Sequence, residues 1–254
     1  MNLLGSFLIA CSMYSAVPVP QVAWTGERMR RVLCFFPLIG AGIGLAFVLA
    51  YELCRLAGAG PLAGTFVLTA VPLLLTGGIH MDGYLDVTDA RRSYASQEKR
   101  LAIMKDPHTG ACALIGLGLY LLIYAAAVSE LTREAGPLMP AVFVAGRALS
   151  AVSVVSFPAA KKEGLAARFS EAAGKRGVLV CAAVYLAMSL AWLLLAGKMA
   201  GLACAAAVAL TFFWYRRMAL REFGGVTGDL AGCFVQCCER NGVLLLAAVS
   251  LLQG

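Results

Sequence analysis

Three aspartates follow directly after an apolar run and form the part of this sequence most able to do chemistry. Asp82, Asp86 and Asp89 are spaced i, i+4 and i+7. On a helix, at about 100° per residue, they lie within roughly 60° of one another. Like charges on one helix face repel one another, and more strongly near a bilayer, whereas a divalent cation held by carboxylate oxygens would offset that repulsion. The spacing predicts a metal site at these three residues, with a solvated acidic patch as the alternative.

The rest of the composition is that of an integral membrane protein. Hydrophobic residues make up 61% of the 254 residues and charged residues 14%, and the mean hydropathy is +0.81. Soluble domains are about 45–50% apolar and about 25% charged. Runs such as residues 73–75 and 193–195 are apolar on all sides, which is typical of helices within a membrane. We therefore predict an all-α polytopic bundle of roughly six to eight membrane helices, formed by one domain over residues 1–254.

The apolar stretches predict where these helices lie. A helix needs about 20 apolar residues to cross the hydrocarbon core. Six stretches are long enough or nearly so, at residues 32–54, 61–79, 109–128, 137–157, 177–196 and 199–215. A seventh, at 231–252, carries Glu239 in its middle, and a first one, at 3–16, is short enough to be a half-length or re-entrant helix.

Basic residues alternate between rich and poor loops along the chain. Three arginines precede the first long span and Arg55 alone follows it, and the same alternation continues to the last loop. Loops rich in Lys and Arg remain in the cytoplasm, so we expect the loops near 80–108, 158–176 and 216–230 to form a cytoplasmic active-site face. The net charge of +7 reflects this topology and contact with anionic lipid. We expect no nucleic-acid partner, because no soluble module remains to bind one.

The second basic loop ends in further polar residues near the same face. Lys105, Asp106 and His108 surround Pro107, ahead of the next span, and a proline here favours a turn. His108 has the chemistry of a base or a phosphate donor, and it could equally begin the next helix. We predict that Lys105 and Asp106 bind substrate and that His108 is catalytic.

Two more places carry polar groups of interest. The glycine-rich turn before the last helix contains Thr227 and Asp229, which can cap that helix or contact a ligand. Arg147 is the basic residue deep within an otherwise apolar span, where an ionisable side chain usually faces the bundle interior and has a function. We predict that Arg147 pairs with an acid or an anionic substrate.

Together these residues favour Mg²⁺-assisted phosphoryl transfer. Carboxylates can hold the metal against a pyrophosphate, basic groups can neutralise phosphate oxygens, and one carboxylate can take a proton from an attacking hydroxyl. Hydrolysis is another outcome that the same groups could produce.

Several motifs resemble the cobalamin synthase family, the adenosylcobinamide-GDP ribazoletransferases. The two most specific are GGIHMDGYLDVTDA at residues 77–90 and LAIMKDPHTG at 101–110. The resemblance extends in order over most of the chain, through VPVP at 17–20, FPLIG at 36–40, EGL at 163–165 and GGVTGD at 224–229. One departure is Ala90, where many members of the family have glycine, so the turn after the third aspartate is expected to differ.

This resemblance implies a multi-pass, Mg²⁺-dependent enzyme of the bacterial inner membrane, with its active site facing the cytoplasm. It would join adenosylcobinamide-GDP to α-ribazole, or α-ribazole 5′-phosphate, and release GMP. Asp82 and Asp86 would hold Mg²⁺ against the pyrophosphate, and Asp86 would also be catalytic, while Asp89 would complete the metal shell or act as the base. Lys105 and Arg147 would neutralise phosphate oxygens. The number of subunits stays open, a homo-oligomer included.

Other functions remain open from the sequence. A different membrane phosphotransferase of the CDP-alcohol type would use the same clustered aspartates. A small-solute transporter would need ionisable residues at mid-bilayer and internal repeats, and the sequence shows one such arginine and no clear repeat. An inactive membrane scaffold would leave the aspartates without a role.

Overall fold

The computed structural model describes residues 3–131, 135–160, 171 and 173–253, and in these ranges the regular secondary structure is helical, apart from one isolated bridge between Ala159 and Val226. The all-α prediction is confirmed. The helices, in chain order, are α1 (Leu3–Tyr14), α2 (Gly26–Met29), α3 (Val32–Leu56), α4 (Pro61–Thr76), α5 (Ile79–Arg92), α6 (Gln97–Ile103), α7 (Ala111–Ser129), a 3₁₀ turn (Gly136–Leu138), α8 (Met139–Ser156), α9 (Lys175–Glu222) and α10 (Gly228–Gln253).

Five of the described helices are long and apolar enough to cross a membrane: α3, α7, α8 with its 3₁₀ turn, α9 and α10. A sixth is possible if α4 and α5, which meet at an angle of 93°, form one broken span. This arrangement is a polytopic membrane bundle, as the sequence predicts. The short first helix also agrees with the prediction, because α1 has 12 residues.

The apolar stretch expected at residues 61–79 forms a helix that ends a few residues early. Helix α4 ends at Thr76 after 16 residues, and Gly77 and Gly78 follow with positive φ angles of 61° and 76°. Glycine adopts these left-handed angles without the steric cost that a Cβ would bring. Two such residues in succession turn the chain sharply, so α5 leaves the direction of α4 and carries the aspartates across the bundle.

Helix α9 is two helical arms rather than one rod. Its 48 residues would extend about 72 Å at 1.5 Å per residue, more than twice the hydrocarbon thickness of about 30 Å. The backbone breaks at Lys198, with φ 47° and ψ −118°. A Cβ on Gly201 would overlap the backbone carbonyl of Leu193, which is possible only if the chain doubles back. The arms 175–197 and 199–222 correspond to the two separate stretches expected at 177–196 and 199–215.

The basic loops meet at one end of the bundle. The backbone N–H of Gly174 donates to the carbonyl of Arg30 at 3.0 Å. Glu222 accepts hydrogen bonds from Arg91 and Arg100 at 2.7–3.0 Å. We call this end, defined by Arg30, Arg91, Arg100 and Glu222, the basic face. The predicted loop 158–176 belongs here through residues 158–160 and 173–176, whereas the EGL motif at 163–165 lies outside the described residues.

Close contact between α3 and α8 forms the centre of the bundle. A Cβ on Gly40 would lie 2.5 Å from the carbonyl oxygen of Phe143, and one on Gly44 would lie 2.5 Å from Cα of Pro140. Small residues at these positions let two helix backbones approach in a membrane, where dispersion and packing drive association. Gly42 has no heavy atom of another element within 4 Å of its Cβ position, so only one face of α3 has this role.

Candidate active site

Helix α5 crosses the start of α10 at very short range. A Cβ on Gly83 would lie 2.6 Å from the carbonyl oxygen of Asp229 and 2.9 Å from its Cα. Glycine at this position allows the two backbones to touch. The contact brings the aspartate before Gly83, Asp82, to the same place as Asp229, although the two are far apart in sequence.

Asp82 and Asp229 line one cavity of about 150 Å³. Its walls come from α1, α3, α5, α8 and α10, and the lining residues are Met13, Tyr14, Leu33, Phe36, Ile79, His80, Asp82, Ser150, Ala151, Val154, Gly228, Asp229, Ala231 and Gly232. Pockets for drug-sized ligands usually measure about 300–1,000 Å³. This cavity can therefore take a small polar group, such as part of a diphosphate, and a larger molecule attached to that group must lie outside it.

His80 is a cavity residue that sequence reasoning passed over. Its side chain is only 3% exposed, and its ring centroid lies 6.2 Å from that of Tyr14 and 5.6 Å from that of Phe36. Its Nε2 atom is buried and has no hydrogen-bond partner in the described structure. The available signal was its position two residues before Asp82, but a single histidine at the end of an apolar run more often only packs in a core.

Asp89 lies against the start of α7, and its expected role as a metal ligand or base stays a prediction. Its two carboxylate oxygens accept hydrogen bonds from the backbone N–H groups of Gly110, at 2.5 Å, and Ala113, at 2.7 Å. Those groups are at the start of α7, where backbone donors lack helical partners and the helix dipole favours a negative charge. Asp89 thus joins α5 to the N-terminus of α7 instead of lying beside Asp82 in the cavity.

The predicted metal trio is not gathered into one site. Within the described ranges, no group of three or more His, Cys, Asp or Glu side chains is placed to hold a metal ion. Asp82 of α5 and Asp229 of α10 both line the cavity. Mg²⁺ prefers oxygen ligands and is often held by one or two carboxylates, waters and substrate phosphates. The residues therefore fit a magnesium ion that binds together with a phosphorylated substrate, with Asp86 half-buried one turn after Asp82.

Lys105, Asp106 and His108 lie in an exposed turn outside the cavity lining. The side chains of His108 and Asp106 are 90% and 55% exposed, and His108 Nδ1 is 2.7 Å from Asp106 Oδ1. The backbone N–H of His108 also donates to Asp106 Oδ1 at 3.0 Å, and this hydrogen bond is the main cause that lowers the pKa of Asp106. Catalytic or substrate-binding roles for these residues remain predictions, and such roles would require the substrate to extend across the basic face.

Arg147 is completely buried and pairs with an acid, as the sequence analysis allowed. Its Nη1 donates to Glu239 Oε1 at 2.8 Å and to the carbonyl of Phe143 at 3.1 Å. Nε and Nη2 have no partner in the described structure. Phe36 stacks near the guanidinium, at 5.9 Å, and also near His80. The Arg147–Glu239 pair therefore lies against Phe36, which lines the cavity, and Arg147 is not among the lining residues.

Thr227 and Asp229 divide the two roles that the sequence left open. Thr227 Oγ1 accepts a hydrogen bond from the backbone N–H of Leu230 at 3.1 Å, so Thr227 caps α10. Asp229 lines the cavity. The turn before them needs glycine, because Gly224 has φ 75° and a Cβ there would collide with the side-chain amide of Gln97.

Glu222 is a second residue that sequence reasoning missed. It binds Arg91 through two hydrogen bonds of 2.9 and 3.0 Å and Arg100 through one of 2.7 Å. Arg91 also lies over the ring of Trp214, 5.4 Å from its centroid. These contacts fix the C-terminal end of α5 to the end of α9 and so hold the aspartates in place. No sequence pattern links residues that are 131 positions apart.

Comparison with known proteins identifies the family. A family model described as cobalamin-5-phosphate synthase matches residues 6–249. The chain belongs to the cobalamin-5-phosphate synthase family. One relative, the adenosylcobinamide-GDP ribazoletransferase of Lachnoclostridium phytofermentans, is 44% identical over 239 residues, which cover 94% of this chain and 92% of the relative. No solved structure matches the chain.

More distant members of the cobalamin-5-phosphate synthase family match over a similar length. The enzyme of the same name from Pseudomonas syringae pv. syringae is 32% identical, covering 95% of this chain and 98% of its own. The enzyme of this name from Geotalea daltonii is 30% identical, and the match covers 97% of this chain and 98% of the relative. The family model, which matches residues 6–249, includes α5, the turn before α10 and every residue that lines the cavity.

Proposed function

We propose that this protein joins adenosylcobinamide-GDP to α-ribazole, or to α-ribazole 5′-phosphate, and releases GMP. A ribazole hydroxyl oxygen attacks the phosphorus atom attached to the cobinamide, and a new P–O bond forms. The P–O bond to GMP breaks, GMP leaves with the bridging oxygen, and the hydroxyl proton passes to a base. The product is adenosylcobalamin or its 5′-phosphate. The names and extent of the matching relatives support this choice of substrates.

One structural observation supports the chemistry: Asp82 and Asp229, from two different helices, line the same small cavity. The volume of about 150 Å³ suits a diphosphate and is too small for a corrin ring. The diphosphate would therefore enter the cavity while the corrin and the guanosine remain outside, near the basic loops. This orientation would place the bond to be broken near Asp82 and Asp229.

Magnesium is part of the proposal. Asp82 and Asp229 would hold Mg²⁺, which when bound neutralises negative charge on the diphosphate and on the departing GMP. The fit rests on the two carboxylates in the cavity wall. Asp86, one helical turn from Asp82, adds a third carboxylate on the same face of α5.

The protein's own groups would perform the remaining tasks. We assign Asp86 as the proton acceptor, because it lies one helical turn after Asp82 on α5, whereas Asp89 caps α7. His80 presents its imidazole in the buried part of the cavity, where it can hydrogen-bond a phosphate oxygen. Arg147 acts indirectly, since its pairing with Glu239 supports Phe36 and His80. Lys105 would contact the part of the substrate that remains outside the cavity.

We also propose that the basic face is cytoplasmic, in the inner membrane of a bacterium. The support is the positive-inside rule together with the gathering of the basic loops at one end. Fusion of a reporter to the exposed turn at Tyr94, between Arg91 and Arg100 on the basic face, and to the loop after Arg55, at the opposite end of α3, tests this. A reporter that is active only outside the cytoplasm should be silent at Tyr94 and active after Arg55, and the reverse result would contradict the assignment.

The decisive experiment is GMP release by the purified full-length protein in lipid nanodiscs. With both substrates and Mg²⁺, GMP and the joined corrinoid should appear in equal amounts, and an excess of EDTA should stop the reaction until Mg²⁺ is restored. Without a ribazole substrate, GMP release should cease, because hydrolysis is not the proposed outcome. Formation of GMP without the joined product would contradict the transferase assignment.

Matched variants test the residues. Asp82→Asn and Asp86→Asn should each reduce turnover by roughly 10²- to 10⁴-fold, and Asp82→Asn should also raise the Mg²⁺ concentration needed for half-maximal rate. Glu52→Gln is the control, because Glu52 pairs with Arg55 on the exposed surface away from the cavity. If Asp82→Asn retains normal turnover and magnesium dependence, the proposed metal site is wrong.

A further inference from the structure

A second, larger recess lies on the other side of α3 from the active-site cavity. It measures about 810 Å³ and is lined by Leu3, Arg30, Arg31, Cys34, Phe35, Ala173, Gly174, Lys175, Arg176, Gly177, Cys181 and Tyr185. We call it the basic groove. Leu33 and Phe36 of α3 line the active-site cavity, whereas Cys34 and Phe35 line the basic groove. The helix thus separates two distinct sites.

One end of the basic groove concentrates positive charge. Arg30, Arg31, Lys175 and Arg176 all line it, and no acidic side chain is among the lining residues. In the described part of the chain, none of these four takes part in an ion pair. The backbone hydrogen bond from Gly174 to Arg30, 3.0 Å long, holds the two basic segments together. Four cations held side by side favour an anionic occupant.

The other end of the basic groove is apolar and extends towards the membrane. Tyr185 lies ten residues after Lys175 on the same helix, a rise of about 15 Å. Phe35 and Cys181 complete this part of the wall. Beside it, Val180 and Val184 are 64% and 53% exposed on a helix apolar enough to cross a membrane. The groove therefore runs from a charged surface into the layer where acyl chains lie.

We propose that the basic groove binds one anionic phospholipid. The phosphate lies against Arg30, Arg31, Lys175 and Arg176, and an acyl chain follows Phe35 and Tyr185 into the bilayer. A soluble phosphate compound would use only the charged end and would leave the apolar end empty. A basic side chain near the membrane surface strengthens binding of anionic lipid roughly fivefold, so a pair of them accounts for roughly thirtyfold.

Lipid retention by the full-length protein in detergent tests this proposal, with native mass spectrometry as the readout. Phosphatidylglycerol should remain bound as one molecule per chain at concentrations where phosphatidylcholine does not. The double variant R30Q/K175Q should bind phosphatidylglycerol roughly thirtyfold more weakly. The matched control R217Q/R221Q removes two exposed charges from the same end of the bundle but outside the groove, and it should bind within a few-fold of the wild type.

Competition distinguishes a lipid from a free phosphate compound. Inorganic phosphate and glycerol 3-phosphate should fail to displace phosphatidylglycerol at millimolar concentration. Displacement by either would overturn the lipid assignment, and so would equal retention of phosphatidylcholine or unchanged binding by R30Q/K175Q. If that variant does not fold, the wild-type protein is crosslinked with a photoactivatable phosphatidylglycerol instead. Crosslinks to residues 30–35 and 173–185 would support the site, and crosslinks elsewhere would refute it. None of these measurements involves turnover, so they are independent of the proposed reaction.

Discussion

Replacing Asp89 with asparagine separates a structural role from a metal-binding one. Both oxygens of Asp89 accept hydrogen bonds from backbone N–H groups at the start of α7, at 2.5 and 2.7 Å. Asparagine has nearly the same shape but only one accepting oxygen, so its amide nitrogen must face one of the two N–H groups. The variant therefore loses one hydrogen bond, weakens the other and leaves a backbone donor unpaired.

The size of the effect follows from these contacts. Loss of a helix cap costs about 0.5–2 kcal/mol, and a hydrogen bond to a charged group contributes about 1.5–3 kcal/mol. Because the side chain is half-buried, we expect Asp89→Asn to lower the free energy of unfolding by about 2 kcal/mol. Asp82→Asn should change it by less than about 0.5 kcal/mol, since Asp82 is exposed to the cavity.

Unfolding in mixed detergent micelles, followed by circular dichroism, measures this difference. The magnesium dependence of GMP release is measured on the same preparations. Asp89→Asn should lose stability, while any remaining activity keeps the wild-type magnesium dependence. Asp82→Asn should keep its stability and need more Mg²⁺ for half-maximal activity. If Asp89→Asn unfolds like the wild type but needs far more Mg²⁺, Asp89 is a metal ligand and the capping argument is refuted.

Three other perturbations have defined outcomes. Gly83→Ala should abolish GMP release, because the added methyl group would collide with the backbone of α10. Gly42→Ala is the control and should be tolerated, because no atom lies within 4 Å of its Cβ position. Equal activity of the two variants would contradict the close contact between α5 and α10. Glu239→Gln leaves the buried Arg147 charge unpaired and should lower the free energy of unfolding by about 3–5 kcal/mol in the same assay. An unfolding curve identical to that of the wild type would contradict this prediction. The lowered pKa of Asp106 means that its carboxylate stabilises the turn fully above the ordinary value of 3.8 and loses this effect as the pH falls through the lowered pKa; a carboxyl NMR titration should therefore have its midpoint below 3.8, and a midpoint above it would be inconsistent with the hydrogen bond.

Because the cavity is small, the proposed substrates would also need a binding surface outside it. In the proposed reaction the diphosphate would occupy the cavity of about 150 Å³, and the corrin and the nucleoside would be recognised outside it. The exposed turn with Lys105 and His108 is connected to α5 through the hydrogen bond between Gly110 and Asp89. Movement of that turn would thus be transmitted to the helix that carries Asp82.

The sequence alone determined the helical class and most of the segments able to enter the membrane. These properties depend on local composition and on spacing along one chain segment, which are visible without a fold. The motifs at 77–90 and 101–110 pointed to the family for the same reason, because each is contiguous.

Only the tertiary structure decided which polar groups meet. Helical spacing placed Asp82, Asp86 and Asp89 on one face but could not show that Asp89 would cap α7 while Asp229 joined Asp82. The consecutive left-handed glycines, Gly77 and Gly78, turn α5 away from α4, and this bend sets every later contact of that helix. A side chain's partner depends on the packing of distant helices, and single-sequence periodicity contains no record of it.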